Sequence, residues 1–530
     1  MNLKSSFIFD SYEMIKNLII AASWESSRLR PYTNYIPKLM LNLGKKPAIL
    51  YIVDYWLKQW VENILIIIHS KYIQLLTDYL HLFYTDEIIK HIQFSAKDDC
   101  NWSADAVLWA VKDTPVFQKN VMISWCDIFP KNDLNIDNRD KSICFLTNEW
   151  KCRYWYDHDK NEIVKNNENN GDVIWLYYIN DLSVYIDKYE LWQDLVDVIK
   201  NYNKWVNLDF IDYWDLEKLE KTKTIFNDFA RDFNSLEILD KKYVHKEALN
   251  EKWKTVIKQE INAYKEYYKY ENIRLIFPKI YPSFEETGFF MNYINWKEIR
   301  KVFDELDAEW QKKLVDAFDD TLQELHKNKV DVDRQRKYDM CYEEYVWKIE
   351  KRINSIKKCI IWFDKIKKVN WVDVMKFDEI LSGLKEWLNN YIDTAEFSIV
   401  HGDCTFSNSM LDENWKVILI DPRGKFWEFW VVWDKNYDIA KFIYSTLTCY
   451  DKFNLGNFSI DSITDDEIVY QKESYDNKII DYIEGKYLNK DTQIILWIIR
   501  LWLAEYIKND FLKMNWAYWE WMKQLSLVMI

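Results

Sequence analysis

Glycine is nearly missing from this sequence. Eight glycines occur in 530 residues, where average usage of about 7% would supply roughly 37. Tryptophan, ordinarily rare, occurs 28 times, so the two counts together come close to the expected glycine total. This predicts that many Trp letters occupy positions whose backbone calls for Gly. Proline is also scarce, at eight, so Gly/Pro punctuation cannot mark domain edges. The eight cysteines are scattered, with no CxxC or Cys/His spacing, so no zinc site is visible and reduced thiols in a reducing compartment are expected. Long apolar runs are lacking: Leu18 to Ala22 and Ile64 to Ile68 are strand length, far short of the ~20 residues of a bilayer span. The N-terminus lacks the basic flank, apolar segment and small-residue site of a signal peptide. A cytoplasmic chain without stable membrane insertion is expected. Positive charge is in deficit, 71 Lys plus Arg against 85 Asp plus Glu, which removes the electrostatic reason to expect nucleic acid. What remains is 49% hydrophobic, enough for two to four domains with real cores.

Residues 16 to about 215 alternate strands and helices, the pattern of an α/β fold with a largely parallel sheet. Lys16 to Ala22 and Asn63 to His69 read as buried strands, Pro47 to Gln59 has helical periodicity, and Val121 to Ser124 is a further strand leading to Asp127. From about 225 a short β-rich stretch gives way to amphipathic helices over 297–395, a strand pair near 397–421, and helices to the C-terminus. The expected organisation is one domain over 1–222 and a second over 223–530, with an N-lobe of about 228–292 and a largely helical C-lobe of about 297–530.

The first strand runs into Ala21-Ala22-Ser23-Trp24-Glu25-Ser26-Ser27-Arg28-Leu29, with Pro37-Lys38 farther on. A loop of small residues followed by two cations suits a nucleoside triphosphate. Backbone N–H groups can approach the phosphates, and fixed cations offset the charge that builds as pyrophosphate leaves. Trp24 is out of place, because a bulky side chain blocks that approach. With Gly at 24 the loop resembles the signature of the nucleotidyltransferases that make sugar nucleotides and CDP-choline. Reading Trp60 as Gly in Lys58-Gln59-Trp60-Val61-Glu62-Asn63-Ile64, and Trp102 as Gly in Asn101-Trp102-Ser103, extends the likeness. The resemblance implies a Rossmann-like mixed sheet and nucleotide contacts from Ala22, Ser23, Trp24, Glu25 and Ser26. It also implies catalytic roles for Arg28 and Lys38, and two Mg²⁺ acids. These are Asp127, after the central strand, and Asp212 in Ile211-Asp212-Tyr213-Trp214-Asp215, an Asp-x-Gly turn if Trp214 is Gly. Taken alone, Asp212 reads equally as a turn or cap residue. Lys165 is a further candidate for the substrate phosphate.

A second constellation is His401-Gly402-Asp403-Cys404-Thr405-Phe406-Ser407-Asn408, followed by an apolar strand and Asp421. Phosphoryl transfer to a hydroxyl needs an acid to orient the nucleophile and two metal ligands on the phosphates. The pattern resembles the aminoglycoside phosphotransferase and choline kinase family, small-molecule relatives of the protein kinases. That resemblance implies an α+β, protein-kinase-like domain with Asp403 as catalytic base and Asn408 and Asp421 as Mg²⁺ ligands. Upstream it implies a strand opened by Phe233-Asn234-Ser235, Lys246 on the α/β-phosphates of ATP, and Glu260 as its partner. Phe290-Met291-Asn292-Tyr293-Ile294 before Asn295-Trp296 resembles the hinge, with backbone groups of Met291 to Tyr293 on adenine. Pro422-Arg423-Gly424, Trp427, then Trp433-Asp434 and Tyr437-Asp438-Ile439-Ala440-Lys441 follow. With Gly at 427 and 433 they resemble kinase-like domains fused to nucleotidyltransferases in surface-polysaccharide loci.

Together these resemblances imply a bifunctional enzyme whose substrates are ATP, a second NTP (CTP or another), a small-molecule alcohol and a phosphate ester. Two other readings stand beside it. One is a degenerate nucleotide-binding or scaffold protein, which literal Trp24 and Trp214 would favour. The other is an antibiotic-type kinase with an accessory domain, which leaves the N-terminal motif unexplained. Trp24, Trp60, Trp102, Trp214, Trp296, Trp415, Trp427 and Trp433 each sit where a turn or phosphate loop wants Gly. In Asp412-Glu413-Asn414-Trp415-Lys416, for example, the fourth residue of the hairpin turn needs φ > 0. A genome that reads UGA as glycine, translated with a table in which UGA means Trp, would produce this pattern.

Overall fold

The computed structural model describes residues 15–529 apart from 24–25, 31, 99–102, 132–133, 135–141, 148–153, 158, 161, 166–170, 191–192, 200–201, 203, 227–233, 284–285, 295–296, 413, 455 and 465. Trp24, Glu25, Asn101, Trp102, Phe233, Asn295 and Trp296 therefore lie outside the described residues. The chain divides into two compact units, Met1–Asp228 with Asn509–Phe511, and Phe229–Lys508 with Leu512–Ile530.

The first unit is built on β1 (Asn17–Ala21), β2 (Asn63–Ile68), β3 (Ile92–Ala96), β4 (Lys119–Trp125), β5 (Ile128–Pro130), β6 (Ile143–Leu146), β7 (Tyr154–Asp157), β8 (Glu162–Lys165), β9 (Val173–Asp181), β10 (Lys204–Asn207) and β11 (Phe210–Asp212). Seven of these form one mixed sheet in the order β10-β6-β9-β4-β1-β2-β3. Strands β1 to β4 run parallel, and β9 lies antiparallel between β4 and β6. Every residue of β1 is buried, as an interior parallel strand covered on both faces requires. Helix α1 (Ala48–Lys58) buries Ile49, Ile52, Val53 and Trp56, the i, i+3, i+4, i+7 stripe of a helix packed on a sheet.

In the second unit β12 (Asn234–Leu239), β13 (Tyr243–Ala248), β14 (Ile280–Pro282) and β15 (Gly288–Asn292) form an antiparallel sheet in the order β12-β13-β15-β14. Helix α2 (Glu251–Tyr267) packs on it through Ile257, Ile261 and Tyr264. The remainder is largely helical, with α3 (Ala308–His326), α4 (Phe377–Tyr391), α5 (Lys435–Leu447) and α6 (Lys490–Tyr506) among its longer members. Two expectations need correction. Phe397–Ile399 pairs with Val432–Asp434, whereas Ser409–Leu411 pairs with Val417–Leu419, so 397–421 holds parts of two ladders. The C-terminal stretch also contains a hairpin, Phe458–Ile463 with Glu467–Lys472. Its short runs of alternating polarity are easily lost between long helical patterns.

Fourteen described residues other than glycine have positive φ, and six are tryptophans: Trp60, Trp362, Trp371, Trp415, Trp427 and Trp430. For a bulky side chain this region is a steric outlier. At Trp60 the N–H donates to the Leu57 carbonyl while the Val61 N–H reaches back to Trp56. That is a Schellman helix end, with Trp60 at the position glycine ordinarily takes. Trp214 and Trp433 are not in this region. Trp433 is a buried strand residue whose indole N–H donates to the Tyr345 hydroxyl, so its backbone does not call for Gly.

Candidate active sites

Strands β1 and β4 are neighbours, with Ala21 opposite Trp125. The chain leaves β1 toward β2 and β3 on the opposite side from β4. The crevice beyond the ends of β1 and β4 is therefore a topological switch point, where open α/β sheets take ligands. The Ala22 N–H is spent on the Ile67 carbonyl at 2.8 Å. Ser23 is 7% exposed, and its hydroxyl has no hydrogen-bond partner among the described residues. The Ser26 carbonyl accepts from the Leu29 N–H and the Thr33 hydroxyl, closing the turn that carries Arg28.

Asp127 follows β4, and Lys38 Nζ lies 2.5 Å from its Oδ2, with side-chain exposures of 9% for Lys38 and 14% for Asp127. The short β5–β11 ladder sets Asp212 opposite Ile128 and brings the Tyr213 N–H to the Asp127 carbonyl, placing the second acid near the first. Lys218 Nζ binds Asp212 Oδ2 at 2.8 Å, while Asp212 Oδ1 is buried without a partner among the described residues. Burial pushes the Asp212 carboxyl above its ordinary range and the Asp127 charge adds to this, against the pull of Lys218. Two acids of like charge with one bare oxygen suit a divalent cation. The Arg28 guanidinium rests 4.4 Å over the Trp214 ring, which the Lys218 ammonium also approaches at 5.1 Å. Lys165 is exposed at the end of β8.

In the second unit the buried Lys246 ammonium meets Glu260 Oε1 and Oε2 at 3.0 and 2.8 Å and Asp421 Oδ1 at 3.0 Å. Asp421 has φ +55°, strain of the kind that persists where surrounding structure enforces it. The hairpin of Ser409–Leu411 and Val417–Leu419, extended by the Ile420 N–H to the Asn408 carbonyl at 2.9 Å, brings Asn408 beside the approach to Asp421. The Asn408 amide nitrogen donates to Asp403 Oδ2 at 2.8 Å and to its carbonyl at 2.9 Å, which leaves the amide oxygen, an acceptor and metal-ligand atom, for another partner. Asp438, on α5, accepts from the His401 and Gly402 N–H groups at 2.7 Å each and fixes the loop's start. Gly402, at φ +80°, has no room for a Cβ, which would lie 2.4 Å from the Phe426 ring. Gly424, at φ +84°, would put one 2.9 Å from the Gln259 backbone, so its hydrogen lets α2 close on the segment after Asp421.

At the expected hinge the structure shows which backbone groups are already paired. Met291 is paired on both sides, to Val244 and Ile280, and the Tyr293 N–H donates to the Lys242 carbonyl at 2.7 Å. The Asn292 N–H likewise donates to the Lys279 carbonyl at 3.1 Å, so the N–H groups of Asn292 and Tyr293 are already committed. Met291 instead shares a sheet face with Lys246, Leu236, Ile238 and Val244, as the antiparallel register requires. Leu236 and Ile238 on that face are 51% and 59% exposed, an apolar roof beside the buried ammonium. Sequence reasoning missed these two, although alternation along β12 could have signalled them. It also assigned no role to Lys441, whose Nζ lies 2.9 Å from Asp403 Oδ1. A cavity of about 530 Å³ lined by Gln259, Met340, Glu344, Lys425, Phe426 and Trp427 opens close by.

Among the described residues no cluster of three or more His, Cys, Asp or Glu side chains is placed to hold a metal, and no helix is long and apolar enough to cross a membrane. No family model matches the chain. A UTP–glucose-1-phosphate uridylyltransferase of Mycoplasma genitalium is 46% identical over 57 residues, 11% of this chain and 20% of that protein; the chain thus matches about a fifth of that relative's length. Among solved structures, CTP:phosphocholine cytidylyltransferase of Streptococcus pneumoniae is 18% identical with a TM-score of 0.31, covering 40% of this chain and 99% of that one. UDP-glucose pyrophosphorylase complexed with UDP-glucose is 16% identical with a TM-score of 0.32, covering 41% of this chain and 100% of that one.

Proposed function

We propose that the chain carries two transferase sites, one phosphorylating a small-molecule hydroxyl with ATP and one joining a phosphate ester to an NTP. The observation that carries this reading is the convergence of Lys246, Glu260 and Asp421 in the unit that also holds Asp403 and Asn408 hydrogen-bonded together. Lys246 holds ATP phosphates, and the apolar face of Leu236, Ile238 and Met291 covers the base. The acceptor oxygen bonds to the γ-phosphorus as the β–γ bridge breaks; ADP leaves and the hydroxyl proton passes to Asp403. In the first unit the ester's phosphate oxygen bonds to the α-phosphorus of the NTP and pyrophosphate leaves, its charge offset by Lys38, with Arg28 at the rim. The short match to a UTP–glucose-1-phosphate uridylyltransferase supports a sugar 1-phosphate as the ester, with a phosphocholine-like ester as the other member of the class that the first reaction would supply for surface-polysaccharide precursors.

The donor sets fit Mg²⁺, a hard ion bound through few protein oxygens with phosphates and water completing its shell. Asp127 and Asp212, the latter with a bare buried oxygen, would hold it in the first unit, and Asn408 and Asp421 in the second. When bound it would neutralise phosphate charge as the bridging bond breaks. The test is to supply ATP with a panel of alcohols and each NTP with the matching phosphate esters, reading ADP and pyrophosphate separately. Acceptor-dependent formation of both supports the two-site reading; formation of neither refutes it.

We infer as well that glycine is the native residue at Trp60, Trp362, Trp371, Trp415, Trp427 and Trp430. Their left-handed backbones support this, and Trp362, Trp371 and Trp430 extend the set expected from motifs. The gene decides it. These six codons should be TGA, with TGG at genuine tryptophans; TGG at all six refutes the inference.

A further inference from the structure

Asp403 is held at both oxygens by donors from different elements. Asn408 Nδ2 takes Oδ2 at 2.8 Å, and Lys441 Nζ takes Oδ1 at 2.9 Å. The two donors leave the carboxylate no free rotation about its Cβ–Cγ bond. The segment Asp403-Cys404-Thr405-Phe406-Ser407-Asn408 has no basic residue of its own, so a cation at Asp403 must come from elsewhere. It comes from α5, where Asp438 and Lys441 stand three residues apart on one helical face. Asp438 takes the His401 and Gly402 N–H groups at 2.7 Å each, and Lys441 takes the side chain that follows. Asp438 is itself fixed by His326, whose Nε2 lies 3.3 Å from its Oδ2. The Lys441 side chain is 15% exposed, and the Tyr444 ring one turn on lies 5.1 Å from its ammonium. Asp403 is more open, at 39%. An enclosed cation gripping one oxygen of a more exposed carboxylate, with an amide on the other, is arranged to fix that carboxylate's orientation.

We propose that Lys441 is a positioning residue for phosphoryl transfer, acting through Asp403 to hold the base in the orientation that receives the acceptor's proton. This rests on the phosphotransfer reading of the second unit. A group that sets geometry at the reacting centre without binding substrate changes turnover rather than KM. A misplacement of about 1 Å at such a centre costs on the order of 100-fold.

The experiment compares the full chain with Lys441→Met, Lys441→Arg and Asp403→Asn. It reads ADP formed from ATP with and without acceptor alcohols and KM for ATP and acceptor, with circular dichroism and thermal unfolding as the check on folding. The expected result is a fall in kcat of about 100-fold in Lys441→Met with both KM values within about twofold, and recovery of at least a tenth of wild-type kcat in Lys441→Arg. If Asp403→Asn is inactive while Lys441→Met keeps wild-type kcat, the positioning role is overturned and the phosphotransfer reading stands. A loss in Lys441→Met that appears in KM, or that Lys441→Arg does not relieve, also overturns it. If Lys441→Met fails to fold, Lys441→Gln takes its place under the same criteria: a fall in kcat with unchanged KM supports the role, and wild-type kcat in folded protein refutes it. ADP formation that is absent from wild type, or undiminished in Asp403→Asn, overturns the phosphotransfer reading and this role with it.

Discussion

Asn370 and Trp371 are the two central residues of a two-residue hairpin and both have positive φ, +48° and +64°. A type I′ turn demands this pair of conformations and ordinarily meets it with Asn-Gly. Trp371 is 74% exposed, so its ring gives little back for the strain. Trp371→Gly should therefore stabilise the chain by about 1 kcal/mol or more, read as a rise in Tm. A fall in Tm would contradict the glycine assignment at this turn.

Trp60 and Trp433 should respond in opposite directions. Trp60 caps a helix at φ +64° and is 68% exposed, so Trp60→Gly should raise Tm. Trp433 is 2% exposed, stacks on Phe426 and donates to Tyr345. Trp433→Gly should cost about 3–5 kcal/mol, as deletion of a buried aromatic does. Denaturant titration of the two variants separates strained turn positions from tryptophans that fill a core.

Lys246 is buried between two carboxylates, so substituting it leaves Glu260 and Asp421 facing each other without a cation. Lys246→Met should lower kcat/KM for ATP by about 100-fold or more while pyrophosphate release from the second NTP is unchanged. Steady-state kinetics of the two half-reactions on one preparation checks this.

Asp434 supplies a pH dependence. Burial pushes its carboxyl up to about 6, although the Tyr391 hydroxyl, the Asn436 N–H and the Tyr345 hydroxyl each pull it down. Its folded value is above its unfolded one, so its contribution is present below about pH 4 and is lost as pH rises through about 6. This is at most about 2–3 kcal/mol. Asp434→Asn keeps an acceptor oxygen for the two hydroxyls and should remove this part of the decline between pH 4 and 6. Urea midpoints across that range test it.

Much of the plan was legible where the determining contacts are local. β1 and β2 show as unbroken apolar runs because both faces are covered. Asp403, Asn408 and Asp421 show as a spacing because one short hairpin sets them together. The Lys246–Glu260 pair was legible from a strand followed by a helix. What escaped depends on packing between elements distant in sequence. Lys441 meets Asp403 only because α5 lies against the loop, Arg28 meets Trp214 across the unit, and Phe397–Ile399 pairs with Val432–Asp434 rather than with its nearer neighbour. The tryptophan excess was visible in composition, but backbone conformation was needed to separate Trp60 or Trp371, which sit in left-handed turns, from Trp433, which fills a core.

The proposed two phosphorus-transfer sites should work independently of each other. The most direct test is one preparation each of wild type, Asp127→Asn and Asp403→Asn, assayed in parallel for ADP from ATP plus acceptor and for pyrophosphate from NTP plus phosphate ester. Asp127→Asn should lose pyrophosphate release alone, and Asp403→Asn should lose acceptor-dependent ADP formation alone. Loss of both reactions in either folded variant, or of neither in both, would contradict this.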